Sequence, residues 1–212
     1  MTVSPSLRRG AAALALATVA IAGLSACAPL IVGGAVVGGS LLYTDRRTSG
    51  TQIEDQAIEL KAARRLEEQF GDRGHFNVTS YNRLVLVTGE VATEADRAQI
   101  EQTVMRVDNV RSVVNEVGVL GISSLSSRSN DVLLTTKVKA ALVDAKDLMA
   151  NAFKVVAERG TVYLMGRVTE REAARSAEVA RSVGGVQKVV RVFELISEAE
   201  LADLVPKTPP KN

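Results

Sequence analysis

The chain has 212 residues, 46% of them hydrophobic and 24% charged, a length and composition that suit one ordinary globular domain or two small ones. A formal charge of +2 and an aromatic content of 3%, with no Trp, leave little to grip phosphates or stack on bases, so nucleic-acid binding is not expected. With one Cys and one His, the chain has neither an internal disulfide nor the clustered ligands of a structural zinc site.

The first 26 residues have the layout of a secretory signal: Arg8 and Arg9, an apolar run from Ala11 to Leu24, then small residues. An apolar run of 14 residues is short for a membrane span, which needs about 20. Leu24-Ser25-Ala26-Cys27 closes that run, uses the only Cys, and resembles the lipobox of bacterial lipoproteins. The resemblance implies cleavage before Cys27, which becomes the lipid-attachment residue, carrying diacylglycerol on its thiol and an acyl chain such as palmitate on its amine. Several acyl chains together anchor stably where one holds only marginally. Ala28, in place of the Asp that typically retains such proteins at the inner membrane, implies the outer membrane. Residues 27–50 then carry the lipidated Cys and a stalk weakened as a helix by Gly33-Gly34 and Gly38-Gly39, read as flexible or membrane-hugging.

The remainder repeats with an offset of 76 to 77 residues. Asp55–Leu66 aligns with Asp131–Leu142, Phe76-Asn77-Val78 with Phe153-Lys154-Val155, LVLVTGEV (84–91) with TVYLMGRV (161–168), and 107–117 with 183–193. Each copy opens with a helix whose inward positions are Ile58, Ala62 and Leu66, or Leu134, Val138 and Leu142. Two alternating strands follow, joined by tight hairpins at Asn82-Arg83 and Arg159-Gly160. A second helix begins at Thr93 or Thr169, the latter with a capping box ending in Glu172, and a last valine-rich strand closes the copy. The predicted fold class is α+β: two tandem αββαβ domains, 51–120 and 131–196, each with two helices on one face of a three-stranded mixed sheet. The Ser-rich segment 121–130 reads as a linker and the tail 197–212 as disordered.

The strand-ending Gly89 and Gly166, the Glu94 and Glu170 that follow, and the valine-rich closing strands resemble BON domains. Two of them behind a lipobox resemble the dual BON-domain outer-membrane lipoproteins of the DolP (YraP) type, the segments 130–139 and 164–173 most closely.

The copies differ in charge. Residues 51–120 hold 8 Lys/Arg against 12 Asp/Glu, whereas 128–196 hold 12 against 8. A basic domain tethered at a bilayer is drawn to anionic headgroups by up to about 1 kcal/mol per Lys or Arg near the surface. On its first helix, Leu133 and Lys137 are expected to lie together outside the core, with Lys139 nearby; they read either as an apolar residue to insert and ammonium groups to meet phosphates, or as a singly exposed leucine on a solvated helix, which is common. The family resemblance implies the same site, with anionic phospholipid of the membrane as partner. The alternative is an adaptor whose acidic first domain or exposed sheet edges recruit an envelope protein. His75 has no nearby second ligand in the sequence, and Glu170 and Glu172 suit helix capping better than acid/base work. No catalytic, cofactor or metal motif appears, so a non-enzymatic, lipid-anchored protein on the periplasmic face of the outer membrane is expected.

Overall fold

The computed structural model describes residues 45–204; the signal, Cys27, most of the stalk and residues 205–212 lie outside the described residues. Among the described residues no helix is long and apolar enough to cross a membrane.

The first domain runs α1 (Ser49–Phe70), β1 (Gly74–Tyr81), β2 (Leu84–Val91), α2 (Glu94–Met105) and β3 (Ser112–Val119). The second repeats it as α3 (Leu125–Asp144), β4 (Lys154–Glu158), β5 (Thr161–Val168), α4 (Glu170–Ser182) and β6 (Lys188–Leu195). In each sheet the hairpin is antiparallel and the last strand joins the middle one in parallel, giving orders β1-β2-β3 and β4-β5-β6. The predicted α+β class and the αββαβ order therefore hold for both copies. Two boundaries differ. Ser124 accepts a hydrogen bond from the Ser127 amide and starts α3 at Leu125, so much of the Ser-rich segment is helix. The tail continues into a short helix, α5 (Glu198–Leu204), whose entry is held by Ser197 and Glu200.

The expected inward positions form the cores. Ile58, Ala62 and Leu66 of α1 meet Val85, Val87, Ile100 and Val104; Leu134, Val138 and Leu142 of α3 meet Val162, Leu164 and Ala180. Each such buried branched side chain contributes roughly 1.5–3 kcal/mol. Both hairpins turn through residues at positive φ, Asn82 (51°) and Arg83 (64°) in one, Arg159 (51°) and Gly160 (74°) in the other, matching the twist of the strands they join. Gly89 and Gly166 are required by close approach. A Cβ on either would collide with the carbonyl of His75 or Ala152 on the adjoining chain.

The helices cover only one face of each sheet, and the other two faces pack on each other. Tyr81 and Leu86 from the first domain join Tyr163, Met165 and Val192 from the second in a third apolar cluster. This explains why Leu84–Val87 and Val162–Met165 are continuous apolar runs rather than alternating ones: the middle strands are buried on both faces. Opposite domain charges meet at the margin of this contact, where Lys154 pairs with Glu59 at 2.6 Å and Arg159 with Glu90 at 3.3 Å. Arg111–Glu194, at 2.8 Å, crosses with the opposite polarity.

Candidate functional site

Helix α3 is fixed to its sheet by Asp131, Leu134, Val138 and Leu142, all buried, and this sets which side chains face outward. Large apolar groups stand exposed there: Leu125 is 79% exposed, Val132 67%, Leu133 59% and Val143 67%. Lys137 and Lys139 are also exposed, and neither has an ion-pair partner among the described residues.

The three residues expected to act together are only partly assembled. At about 100° of rotation per residue, Leu133 and Lys137 are about 40° apart. Both line a broad shallow groove with Ile122, Ser127, Arg159 and Gln187. Lys139 lies about 160° around from Lys137. It borders a separate groove beside Arg47, Tyr81, Val143 and Lys154. The lysines therefore flank the outer face instead of clustering on it. Between them runs an apolar arc that the sequence reading missed, made by Leu125, Val132 and Val143 together with Leu133. The signal was available as outward positions 125, 132, 136, 139 and 143 at helical spacing, but Leu125 fell in the segment read as a linker.

The equivalent face of α1 is built differently. The counterparts of Val132, Leu133, Lys139 and Val143 are Gln56, Ala57, Ala63 and Glu67. Lys61, the counterpart of Lys137, pairs with Asp108 at 3.3 Å. The face of α1 keeps two exposed apolar residues, Ile53 and Leu60, so what sets the second domain apart among the described residues is the larger apolar arc and the two lysines without ion-pair partners beside it.

Around the Lys139 groove the segment before α1 is held firmly. Arg47 pairs with Asp45 at 2.7 Å and Asp55 at 2.8 Å, and its guanidinium stacks over the Tyr81 ring at 4.2 Å. Burial pushes the Tyr81 hydroxyl up to about 12, with Asp45 adding to the shift. Arg46 donates to both carboxylate oxygens of Glu172 at 2.7 Å and to the carbonyl of Arg167. Glu172 also forms the expected capping box with Thr169, so its role is structural. Glu170, exposed, faces Arg191 at 3.7 Å.

The sequence offers His75 no nearby second ligand, yet in the fold its Nδ1 lies 3.5 Å from Glu90, and the ring comes within 4.8 Å of a carboxylate oxygen of Glu158 from the other domain. Residues so far apart in the chain carry no local spacing signal.

Comparison with known proteins agrees with this architecture. The BON domain family matches residues 54–121 and 130–196. The chain is 34% identical over 198 residues to the outer membrane lipoprotein DolP of Haemophilus influenzae, covering 92% of this chain and all of that one. It is 30% identical over 154 residues to a 21 kDa hemolysin of Actinobacillus pleuropneumoniae, covering 72% of this chain and 79% of that one. A solved structure of CdsD, a structural protein of the type III secretion system of Chlamydia trachomatis, aligns at 17% identity over 74% of this chain and 99% of its own, with a TM-score of 0.25. The extent of the first two matches and the two complete αββαβ units place the chain in the BON-domain family, as a dual-BON, lipid-anchored outer-membrane lipoprotein of the DolP type.

Proposed function

We propose that this protein is a non-catalytic envelope component on the periplasmic face of the outer membrane, that its second BON domain binds anionic phospholipid through the outer face of α3, and that this binding supports outer-membrane integrity. The observation that carries the reading is the exposed arc of Leu125, Val132, Leu133 and Val143 bordered by Lys137 and Lys139. A helix of this kind lies in the headgroup layer with its apolar side chains inserted, while lysine stems reach back to phosphate. The acyl anchor at Cys27 keeps the domain near the bilayer, so weak individual contacts operate at high effective concentration.

The test is flotation of residues 45–204, which hold both hydrophobic cores, with vesicles of anionic or zwitterionic phospholipid. Binding to anionic vesicles is expected, with a loss of at least about tenfold on Lys137→Glu/Lys139→Glu, given about 1 kcal/mol for each charge near the surface. Val132→Ser/Leu133→Ser is expected to weaken it as well. Unchanged binding in both variants, or equal binding to zwitterionic vesicles, would remove this reading. A second reading, a protein adaptor, is favoured by Ile53 and Leu60, large apolar residues exposed on α1 of the acidic domain. An envelope partner lost on replacing both by Ser would support it.

A further inference from the structure

Where the two sheets meet, His75 from β1, Glu90 from β2 and Glu158 from β4 each bring a ligand atom within 4.8 Å of the others. We propose that these three residues form a binding site for a divalent cation of the zinc class, bridging the two BON domains. The argument begins at His75 Nδ1, which is buried, has no hydrogen-bond partner, and stands 3.5 Å from Glu90 Oε2. With its hydrogen on Nε2, the imidazole turns an acceptor nitrogen toward two buried carboxylates, and a cation held among the three would satisfy all of them. Glu90 is fully buried and Glu158 nearly so.

The remaining polar groups hold both carboxylates in place without saturating them. Arg159 donates to Glu90 Oε1 and Ser123 Oγ to Glu90 Oε2, each at a long 3.3 Å, and Oε2 is the oxygen beside His75. Asn77 and Thr88 both donate to Glu158 Oε2, at 2.7 and 3.2 Å, leaving Oε1 without a donor among the described residues. Outer donors that fix a carboxylate while one oxygen stays available are the usual support of a metal ligand. Arg159 pairs directly with Glu90, whereas Arg128, which lines the same groove, donates to Ser123 and not to either carboxylate, so Glu158 has no cationic partner among the described residues. A tetrahedral zinc ion with bonds of about 2.0–2.1 Å separates its ligands by about 3.3 Å, so the His75–Glu90 spacing already fits and Glu158 needs a movement of about 1.5 Å at most.

One imidazole with two carboxylates favours a borderline ion over magnesium or calcium, which prefer oxygen alone. A groove of about 340 Å³ lined by His75, Asn77, Arg128, Thr135, Val156 and Glu158 gives access from solvent and room for a water as fourth ligand. The fold itself does not require these residues. At the equivalent positions of the other copy, His75 becomes Ala152, Glu90 becomes Arg167 and Glu158 is answered by Tyr81.

His75 is the only histidine of the chain, which makes the test unambiguous on the full, tag-free lipoprotein in detergent. Titration with zinc chloride should saturate at one ion per chain and shift the single histidine's ring resonances, with excess magnesium without effect. Glu158→Gln, nearly isosteric, should weaken binding on the order of 100-fold, more than the loss of an outer-shell donor. Ring resonances that respond to pH but not to equimolar zinc would overturn the proposal and leave a protonated His75–Glu90 pair in its place. Zinc affinity unchanged in Glu158→Gln would overturn it equally. The resonance measurement uses the unaltered protein and stands whether or not the variant folds.

Discussion

Asp55 and Asp131 occupy equivalent places in the two copies and do the same work, tying the first helix of each domain to its hairpin. Asp55 accepts from the Asn82 and Arg83 amides at 2.8 Å and from Ser80 Oγ at 2.7 Å, and pairs with Arg47. Asp131 accepts from the Arg159 and Gly160 amides at 2.9 and 3.1 Å. The turn residues adopt positive φ with their amides inside this cradle, which is why the two aspartates survive in an otherwise diverged helix alignment. The repeat made the pair visible, but their amide partners lie 27 to 29 positions away, beyond the reach of any local pattern. Replacing Asp55 by Ala removes one of the two carboxylate partners of Arg47 and leaves two amides and the Ser80 hydroxyl without their acceptor, and should cost about 3–5 kcal/mol, against about 2–3 kcal/mol for Asp131→Ala. Urea unfolding curves of the two variants give the comparison directly. Burial opposes the charge on Asp55, but its hydrogen bonds outweigh that and hold its carboxyl below the usual range; Glu172 and Glu194 behave alike through Arg46 and through Asn82 and Arg111. A carboxyl depressed by folding stabilises fully above its unfolded value, near 4, and that contribution is lost as pH falls through the lower folded value. Stability should therefore fall steeply below about pH 4, and less steeply in Asp55→Asn.

At the level of elements, the hairpins offer a comparison that the protein performed on itself. Both turns need left-handed backbone at two successive residues, and the second copy places Gly160 where the first has Arg83 at φ 64°. An ordinary L-residue in that region carries roughly 1–2 kcal/mol of strain. Glycine relieves it at some entropic cost in the unfolded chain. The Arg83 side chain is exposed, and its amide and carbonyl keep their bonds to Asp55 and Arg111 whatever the side chain. Arg83→Gly should accordingly stabilise the protein by about 0.5–1 kcal/mol, read as a higher urea midpoint at unchanged slope. The hairpin positions, both N-caps at Thr93 and Thr169, and the inward helix positions were legible because each rests on local chemistry. The start of α3 was not, because a serine-rich stretch suits a linker and a capped helix equally until Ser124 is seen holding the Ser127 amide. That one misreading hid Leu125, and with it the extent of the apolar arc on α3.

Taken as a whole molecule, the two domains are joined by more than their covalent connection. The sheets share an apolar face, and Arg46, just before α1, is clamped onto Glu172 of the second domain, both side chains almost wholly buried. The residues that lead into α1 are thereby tied to the domain that carries α3. Sequence reasoning reached the opposite charges of the domains but not this clamp, since Arg46 lies before the first repeat and its partner is 126 residues away. A buried pair of this kind is weak evidence for net stabilisation, yet breaking it from one side is costly because the other charge stays buried. Arg46→Ala leaves Glu172 with only its Thr169 capping contacts, and should cost about 3–5 kcal/mol. Glu172→Gln keeps an amide oxygen for the Thr169 amide, and the double variant should recover much of the loss because no unpaired charge remains. A double-mutant cycle by urea unfolding measures this coupling. Additive effects of the two substitutions would mean that Arg46 acts through packing on the Arg167 carbonyl rather than through Glu172. A large coupling, accompanied by faster proteolytic cleavage in the segment before α1 of Arg46→Ala, is the result expected of a clamp that joins this segment to the second domain.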